Sequence, residues 1–432
     1  MLKKIMKSIG IGIIGLGNIG SRLYKEIISK KKDIGLKTST NITIVAISAR
    51  NINKKRSFKV RRNIFFKNPL DITKNPKVNI VIELIGLSDG ISKKIVERAL
   101  KNKKHVITAN KALISKHVDY LASIAEKNKV NLEFEAAVGR GIPVLRTTKD
   151  GLATNKINKV VGILNGTSNY ILSEMQKTNN SFKNVLNKAQ QLGFAETKPK
   201  FDLDGTDVLA KIRILSSLSF NNKISKNNCL MNGIENIELK DIDMAEKLDL
   251  RIKLLGITEI INNKLFERVH PCLIKKDNYI ANIDGVMNAV ILEGNPVGES
   301  VLQGEGAGPG PTSSALMSDL LSILRGNIKY PFGIPFSKRK KVSSYDQNQY
   351  SNSLYLRFEV KDKPGVLSQI TKQLANYNIS IDRLIQIPDH KRKRASIVII
   401  THKSSEFNSN KCLKSFKSNK NLLKFPTLIR LL

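Results

Sequence analysis

The chain has 432 residues and a formal net charge of +37, from 73 Lys and Arg against 36 Asp and Glu. This length predicts two or three domains, because a single hydrophobic core stops growing at about 250–300 residues. The basic charge would suit a nucleic-acid partner, but the lysines are dispersed and the chain has no Trp and no aromatic cluster for base stacking. We therefore expect no nucleic-acid function.

Neither a membrane segment nor a disulfide framework is predicted. No apolar run reaches the roughly 18–20 residues needed to cross a bilayer, so we expect a soluble, unprocessed, cytoplasmic protein with no membrane partner. Cys229, Cys272 and Cys412 are far apart and lack the spacing of a zinc site. This cysteine pattern is typical of a reducing compartment.

A glycine-rich turn follows the first apolar run. Gly15, Gly17 and Gly20 form a G-x-G-x-x-G pattern, and the amphipathic stretch Ile19–Ile28 follows it. In this arrangement the glycines permit a tight turn, a close approach of the backbone to a pyrophosphate, and close packing of the next helix. The phosphate is then expected at the helix N-terminus, near Asn18.

Strand-like runs alternate with helical patterns over residues 1–150, which predicts an α/β domain with a Rossmann-type parallel sheet. The predicted strands are Ile9–Ile14, Ile42–Ile47, Ile80–Ile85, His105–Thr108 and Leu132–Glu135. A helix is predicted within Leu113–Lys129.

The residues after the second strand bear on cofactor choice. An acidic residue there usually binds the ribose 2′-hydroxyl of NAD, whereas a basic residue accommodates a 2′-phosphate. Asp33 precedes the strand, while Arg50 follows it, with Lys54 and further basic residues beyond. We therefore predict that NADP(H) is preferred over NAD(H), with Arg50 as the main phosphate contact.

The pattern of predicted strands and helices and the residue composition divide the remaining chain into further segments. Residues 151–303 mix longer strands and helices, which predicts an α+β substrate domain on an antiparallel or open sheet, and the polar, basic segment 336–353 predicts a linker. Residues 354–432 predict a small β-α-β-β module. Its predicted elements are the strand Leu354–Val360, the helix Gly365–Asn376 and the strands Ile379–Ile387 and Ala395–Thr401.

Four motifs in one order resemble the homoserine dehydrogenase family. They are V-I-T-A-N-K-A-L at 106–113, F-E-A-A-V-G-R-G-I-P at 134–143, G-I-L-N-G-T-S-N-Y-I at 162–171, and G-F-A-E at 193–196 continuing through Asp207 to Lys211. The resemblance covers Ile9 to about Gly333, and Tyr355–Leu367 resembles the start of an ACT domain. It implies NAD(P)-dependent interconversion of L-homoserine and L-aspartate 4-semialdehyde in threonine, methionine and isoleucine biosynthesis, by a homodimer or homotetramer. It also implies that residues 304–333 return to the nucleotide domain.

Lys211 is the predicted proton donor. Hydride transfer to an aldehyde leaves negative charge on the carbonyl oxygen, which a protonated group must meet. Lys211 lies four residues after Asp207 in a helical pattern, so the two side chains share one face. Spacing alone leaves an exposed ion pair as the alternative. The resemblance implies catalysis, with Asp207 supporting Lys211 and Lys111 as a second proton-transfer residue.

The resemblance also assigns residues to the two ligands and to an ion. The implied substrate-binding residues are Glu196, Asp202, Gly166 and Thr167. The predicted cofactor-binding residues are Gly15, Gly17, Asn18, Ile19, Gly20, Arg50, Ile85, Lys111 and Gly306. For a monovalent cation, expected to be sodium, the implied ligands are the Glu135 carboxylate and the carbonyls of Val138, Arg140 and Ile142, although Arg140 stands where the family usually has a small residue.

Regulation and two alternative functions complete the expectations. The turn Asp362–Leu367 corresponds to the amino-acid site of ACT domains, so L-threonine is the expected effector, acting through the basic linker. A dehydrogenase that forms a thioester would need a reactive cysteine, and none of the three lies in a convincing loop. A non-catalytic amino-acid sensor would not explain Lys111, Glu196, Asp207 and Lys211 together.

Overall fold

The computed structural model of the protein describes residues 6–326 and 330–432, which contain seventeen strands and fourteen α-helices. The strands are β1 (Lys7–Ile14), β2 (Thr40–Ser48), β3 (Ile80–Glu83), β4 (His105–Thr108), β5 (Leu132–Glu133), β6 (Lys156–Ile163), β7 (Leu230–Met231), β8 (Leu250–Ile261), β9 (Lys264–Lys275), β10 (Met287–Asn295), β11 (Gly298–Glu305), β12 (Ser351–Asn352), β13 (Leu354–Lys361), β14 (Ile381–Asp389), β15 (Arg394–Thr401), β16 (Ser404–Ser405) and β17 (Thr427–Leu431). The helices are α1 (Asn18–Ser29), α2 (Lys31–Thr38), α3 (Pro69–Ile72), α4 (Ile91–Lys101), α5 (Lys111–Lys127), α6 (Val144–Arg146), α7 (Gly166–Thr178), α8 (Phe182–Gln191), α9 (Lys200–Leu203), α10 (Thr206–Ser219), α11 (Leu239–Lys247), α12 (Pro309–Leu324), α13 (Val366–Asn376) and α14 (Glu406–Ser415).

The chain forms two compact units, each assembled from three stretches of sequence. The first unit consists of Met1–Leu164, Ala210–Lys226 and Met287–Val342. The second unit consists of Asn165–Leu209, Asn227–Val286 and Ser343–Leu432. The boundaries at 150, 303 and 354 remain predictions.

The first unit contains the predicted parallel sheet. Its strand order is β2-β1-β3-β4-β5, and every neighbouring pair is parallel. This confirms the predicted Rossmann-type sheet. Strand β3 ends two residues earlier than predicted, because the buried Glu83 carboxylate accepts the Ile85 N–H at 2.8 Å and turns the chain there.

Helix α12 belongs to the core of this parallel sheet. Its residues Leu316 and Leu320 are fully buried in the same apolar cluster as Ile11 and Ile13 of β1. Residues far apart in sequence thus complete one hydrophobic core. The return of 304–333 as a whole, of which residues 327–329 lie outside the described chain, remains a prediction. The first unit also contains an antiparallel group in which β10 pairs with β6 and β11.

The second unit is built on a mixed sheet that includes the C-terminal module. Its order is β8-β9-β17-β13-β15-β14, with β17 parallel to β9 and antiparallel to β13. Sequence patterns predicted the module only as far as Thr401. Helix α14 and strand β17 complete a βαββαβ arrangement, and β17 joins the module to β9 by backbone pairing.

The predicted linker is anchored along its length. Arg339 is buried and pairs with Asp119 at 2.8 Å within the first unit. Further on, in the second unit, the Ser343 carbonyl accepts the Leu265 N–H at 2.9 Å. Because these partners are distant in sequence, the polar composition of 336–353 did not reveal them, and the linker role of this segment remains a prediction.

Within the described residues, none of the helices combines the length and the apolar character needed to cross a membrane.

Candidate active site

The glycine turn between β1 and α1 has the geometry that its sequence predicted. Gly15 has φ +105°, and a Cβ at Gly20 would lie 1.9 Å from the Gly15 carbonyl oxygen. A Cβ at Gly17 would meet nothing within 4 Å, so this side of the turn is open to a ligand. The exposed N-terminus of α1 begins at Asn18, directly beside that open side.

A cavity of about 520 Å³ lies against this turn in the first unit. Four of the predicted cofactor-binding residues line it: Gly15, Gly17, Arg50 and Ile85. Asn18 lines a neighbouring cavity of about 570 Å³ that Gly17 also borders. Ile19, Gly20, Lys111 and Gly306 are outside the lining of both.

Two arginines on the cavity wall, Arg50 and Arg56, differ in whether their side chains are bound to the protein backbone. The Arg56 guanidinium donates to the backbone carbonyls of Leu16, Ile52 and Asn51 at 2.8–3.3 Å, so it holds the loop after β2. Arg50 is exposed on the cavity wall. Of these two arginines, Arg50 is therefore the one whose side chain can reach a ligand.

Sequence reasoning missed a buried polar group at the carboxyl edge of the parallel sheet. Glu83 is fully buried and accepts the Thr108 hydroxyl at 2.7 Å. Asn110 caps α5 by accepting the Leu113 N–H at 3.1 Å, which orients the helix that begins with Lys111. A glutamate at the end of an apolar strand was the available signal, because a buried carboxylate needs donors nearby.

The loop that follows β5 holds the predicted cation ligands. Glu135 is 3% exposed, and its two carboxylate oxygens accept the N–H groups of Leu145 and Arg146 at 2.9 and 2.8 Å. Burial raises the pKa of Glu135 against the opposing effect of these N–H groups and nearby cations. The Arg140 guanidinium donates to the Gly306 carbonyl at 3.4 Å. Carboxylate and carbonyl oxygens suit a hard cation, but Glu135 already serves to fold its own loop.

Charged side chains buried near Glu135 reinforce that loop. Asp319 of α12 accepts the Glu135 N–H at 3.1 Å and pairs with Arg146 at 3.1 Å, and Lys149 pairs with Glu133 at 2.9 Å. Burial raises the pKa of Asp319 well above its usual value. Over the ranges that the structure describes, no three His, Cys, Asp or Glu side chains group as a metal site.

In the second unit, Asn165 joins two of the predicted carboxylates. Its side-chain amide donates to Asp202 at 2.8 Å and to Asp207 at 2.9 Å, while its oxygen caps α7 by accepting the Ser168 N–H at 2.8 Å. Asn165 and Asp207 are each 4% exposed. Asn165 precedes the predicted Gly166 and Thr167, and its bridging role was not visible in the sequence.

Of the remaining predicted substrate residues, some lie close to the Asn165 amide and one does not. Thr167 donates to the Phe194 carbonyl at 2.7 Å and to Asp202 at 3.3 Å. A Cβ at Gly166 would lie 2.9 Å from the Val286 carbonyl oxygen, so the backbone passes closely there. Glu196 is exposed, and among the described residues its carboxylate forms no ion pair. The structure therefore groups Asp202, Gly166 and Thr167, but leaves Glu196 at the surface.

Lys211 lies one turn after Asp207 on α10. Lys211 is 2% exposed, and its ammonium donates to the Leu164 carbonyl at 2.6 Å. The alternative of an exposed surface ion pair is wrong, because both side chains are buried. Leu164 is the residue before Asn165, so consecutive residues of the chain engage Lys211 and Asp207.

Two of the three cysteines, Cys272 and Cys412, do not provide an activated nucleophile. Cys272 lies 3.2 Å from His270, but burial raises the pKa of its thiol to about 12 and lowers the pKa of His270 well below its usual value. Burial also raises the pKa of Cys412 to about 12. Since the thiolate is the reactive form, thioester chemistry at either residue is disfavoured.

Comparison with known proteins covers nearly the whole chain. Family models for the homoserine dehydrogenase NAD-binding domain, for homoserine dehydrogenase and for the ACT domain match residues 15–135, 143–321 and 354–418. A homoserine dehydrogenase of Neisseria gonorrhoeae is 37% identical over 99% of both chains. The crystal structure of one from Thiobacillus denitrificans is 34% identical, with a TM-score of 0.91 over 99% of both chains. A hyperthermophilic archaeal homoserine dehydrogenase mutant in complex with NADPH, 22% identical, shares the fold over 74% of this chain and 99% of its own, with a TM-score of 0.62.

The Asn165 bridge predicts a pH-dependent stability defect in Asn165→Asp. This variant keeps the capping oxygen but replaces the amide donor with a third carboxyl group, at a cost of about 2–3 kcal/mol when charged. Repulsion raises the folded pKa of the new carboxyl above its unfolded value, so the loss should be small at about pH 4, grow as pH rises above the unfolded value, and level off once pH exceeds the folded value. Thermal unfolding from pH 4 to 8 measures it. Asn184→Asp, on the exposed face of α8, is the matched control, and equal behaviour of the two variants would contradict the bridge.

Proposed function

This chain belongs to the homoserine dehydrogenase family, and from that premise we propose how its residues carry out the reaction. The enzyme is an NAD(P)-binding oxidoreductase of amino-acid biosynthesis that interconverts L-homoserine and L-aspartate 4-semialdehyde. The bound nicotinamide supplies or accepts the hydride. The protein must therefore bind both reactants, exclude water and move one proton at the substrate oxygen.

Lys211 is the proposed proton donor in the reducing direction. The observation that carries this assignment is its buried ammonium, which donates to the Leu164 carbonyl at 2.6 Å and follows Asp207 by one helical turn. A cation held in a water-poor place stabilises the developing alkoxide more strongly than one in solution. Asp207 orients the ammonium, and Lys111, at the carboxyl edge of the parallel sheet, is a second proton-transfer residue.

The amino-acid end of the substrate is assigned to the residues around Asn165. Asp202 and Glu196 are proposed to receive its ammonium, since carboxylates are the natural acceptors for that group. Gly166 and Thr167 offer close-approaching backbone and a hydroxyl at the start of α7. Thr167 donates to the Phe194 carbonyl, so it also fixes the segment that leads to Glu196.

Replacing Lys211 tests the catalytic assignment. Lys211→Ala should lower turnover by about 10²-fold or more, because the proton donor is lost, while the affinity for cofactor stays nearly unchanged. Steady-state turnover and cofactor binding by fluorescence measure the two effects. Lys200→Ala, an exposed lysine on α9, should behave like the wild type. Turnover of Lys211→Ala within about threefold of the wild type would refute the role.

NADP(H) is the proposed preferred cofactor. The cavity beside the glycine turn carries Arg50, Lys54 and Lys67 on its wall, where a 2′-phosphate would bring negative charge. A solved structure of this fold, the archaeal homoserine dehydrogenase mutant in complex with NADPH, is consistent with this preference. The glycines, Asn18, Ile19 and Ile85 would contact the shared part of either cofactor, and Gly306 and Lys111 are proposed to meet the nicotinamide side.

The Arg50 assignment predicts a change in cofactor preference. Arg50→Ala should lower kcat/KM with NADPH by about tenfold, the equivalent of about 1.4 kcal/mol, and leave kcat/KM with NADH nearly unchanged. Initial rates with both cofactors measure this. Arg61→Ala, another exposed arginine that does not line the cavity, is the control. A loss of equal size with both cofactors would show that Arg50 does not read the 2′-phosphate.

A monovalent cation and an oligomer are further proposals. Glu135 with the carbonyls of Val138, Arg140 and Ile142 would hold sodium, and the chemistry of these oxygen donors supports it. Titration of activity with sodium chloride against choline chloride measures the effect of sodium on activity.

A homodimer or homotetramer is proposed from the family, and sedimentation velocity determines the oligomeric state.

Threonine is the proposed effector of the ACT domain. After β13, Gly365 has φ +85° and precedes α13, so backbone N–H groups at the helix N-terminus face the open side of the turn. Asp362 is exposed at the start of that turn. The pairing of β17 with both β13 and β9 offers a rigid route from this module to the rest of the second unit.

Threonine inhibition should depend on Asp362. Millimolar L-threonine should lower the activity of the full-length enzyme, and Asp362→Asn should raise the half-inhibitory concentration about five- to tenfold by removing a partner of the ligand ammonium. Asp382→Asn, an exposed aspartate on β14 of the same module, is the control. Activity that is indifferent to threonine in all three proteins would contradict this regulation.

A further inference from the structure

A cavity in the second unit is separate from every site described above. It has a volume of about 480 Å³ and lies between α11 and the strands β13 to β15 of the ACT domain. Its volume falls in the range of about 300–1,000 Å³ that is usual for small-molecule sites. None of the residues of the turn 362–367, and none of those assigned to substrate or cofactor, lines it.

Positive charge exceeds negative charge in the lining of this cavity. Six cationic and three acidic side chains contribute to it, which leaves a formal excess of three positive charges. The cations are Lys240, Lys247, Arg357, Arg392, Arg394 and Lys424, and the acids are Asp243, Glu359 and Asp389.

Two of these cations, Arg357 and Lys240, form ion pairs with carboxylates of the protein. Arg357 is buried and donates to Asp241 at 2.6 and 2.8 Å and to Glu359 at 2.7 Å. Lys240 donates to Glu359 at 3.0 Å. In contrast, Lys247 and Arg394 form no ion pair within the described ranges, and they approach the cavity from α11 and from β15.

The cavity also has apolar walls, which favour an organic ligand over an inorganic ion. Met244 is 3% exposed and lines the α11 side, while Ala395 and Val398 are buried on the sheet side. Ile387 is 41% exposed, although it belongs to a strand of the sheet. A ligand here would cover apolar surface and place its charges between Lys247 and Arg394.

We propose that this cavity is a binding site for a small organic anion with two or more negative charges. Its walls connect the ACT sheet to α11, and α11 contacts α7 where Gln176 donates to Glu246 at 2.5 Å. Helix α7 begins at Gly166, in the substrate motif. A ligand between Lys247 and Arg394 therefore bridges the ACT module and a helix that supports that motif.

Methyl NMR of the full-length enzyme tests the site at a resident probe. The chain has seven methionines, and the Met244 signal in protein labelled with [methyl-¹³C]methionine can be assigned with Met244→Leu. Citrate and glycerol 3-phosphate are titrated separately at constant ionic strength with saturating NADPH, so that the nucleotide site is filled. We expect the Met244 signal to shift saturably, with a half-point below about 1 mM for at least one of the two anions, and the more effective one distinguishes carboxylate from phosphate ligands.

Two double variants distinguish specific binding in this cavity from non-specific attraction of anions to a basic surface. Lys247→Met/Arg394→Met removes two exposed cations and should weaken the titration at least tenfold. Lys372→Met/Lys420→Met removes two exposed cations that line a different cavity of the ACT domain, of about 460 Å³, and should titrate like the wild type. Absence of a saturable Met244 shift with either anion, or equal weakening in both double variants, would overturn the proposal.

Discussion

The side-chain amide of Asn165 is the interaction on which the arrangement of the proposed substrate residues depends. Two carboxylates, Asp202 and Asp207, approach each other because one amide donates to both, and buried carboxylates need such donors. The same side chain caps α7, so the positions of the carboxylates and the start of that helix are set together. The carbonyl of the preceding residue, Leu164, accepts the Lys211 ammonium. Two consecutive residues, Leu164 and Asn165, thus contact the cationic and the acidic groups of the proposed chemistry.

Helix α10 imposes the second constraint on these groups. Asp207 lies in its first turn, where the helix dipole favours a negative charge, and Lys211 follows one turn later. Because a helix keeps this spacing rigid, the aspartate and the lysine cannot be moved independently. Their burial requires that each charge be compensated locally, which is why the Leu164 carbonyl and the Asn165 amide matter.

The ACT domain is coupled to its surroundings through backbone and buried charge. Strand β17 pairs with β13 inside the module and with β9 outside it, and Arg357 of β13 is paired with Asp241 of α11. A domain on a loose tether transmits little, whereas a shared sheet and a buried ion pair respond as one body when a ligand strains either side. The proposed regulation therefore has a physical route within the second unit, through the shared sheet and the buried ion pair.

The sequence by itself determined the parallel sheet, the glycine turn, the order of the motifs and the start of the ACT domain. Each of these features lies within a short stretch of sequence. The periods of strands and helices can be recognised within about ten residues. The same holds for Gly15 and Gly20, which the backbone geometry of the turn requires. The helical spacing of Asp207 and Lys211 was readable for the same reason.

Tertiary structure alone decided which distant residues meet. Arg357 and Asp241 are 116 positions apart, Asn165 reaches Asp207 across 42 positions, and Arg339 of the predicted linker pairs with the distant Asp119. Such pairs leave no period in the sequence, because only the folded chain brings their side chains together. For the same reason the sequence did not predict that Glu83 is buried or that Glu196 lies at the surface: exposure depends on what the rest of the chain packs against each carboxylate.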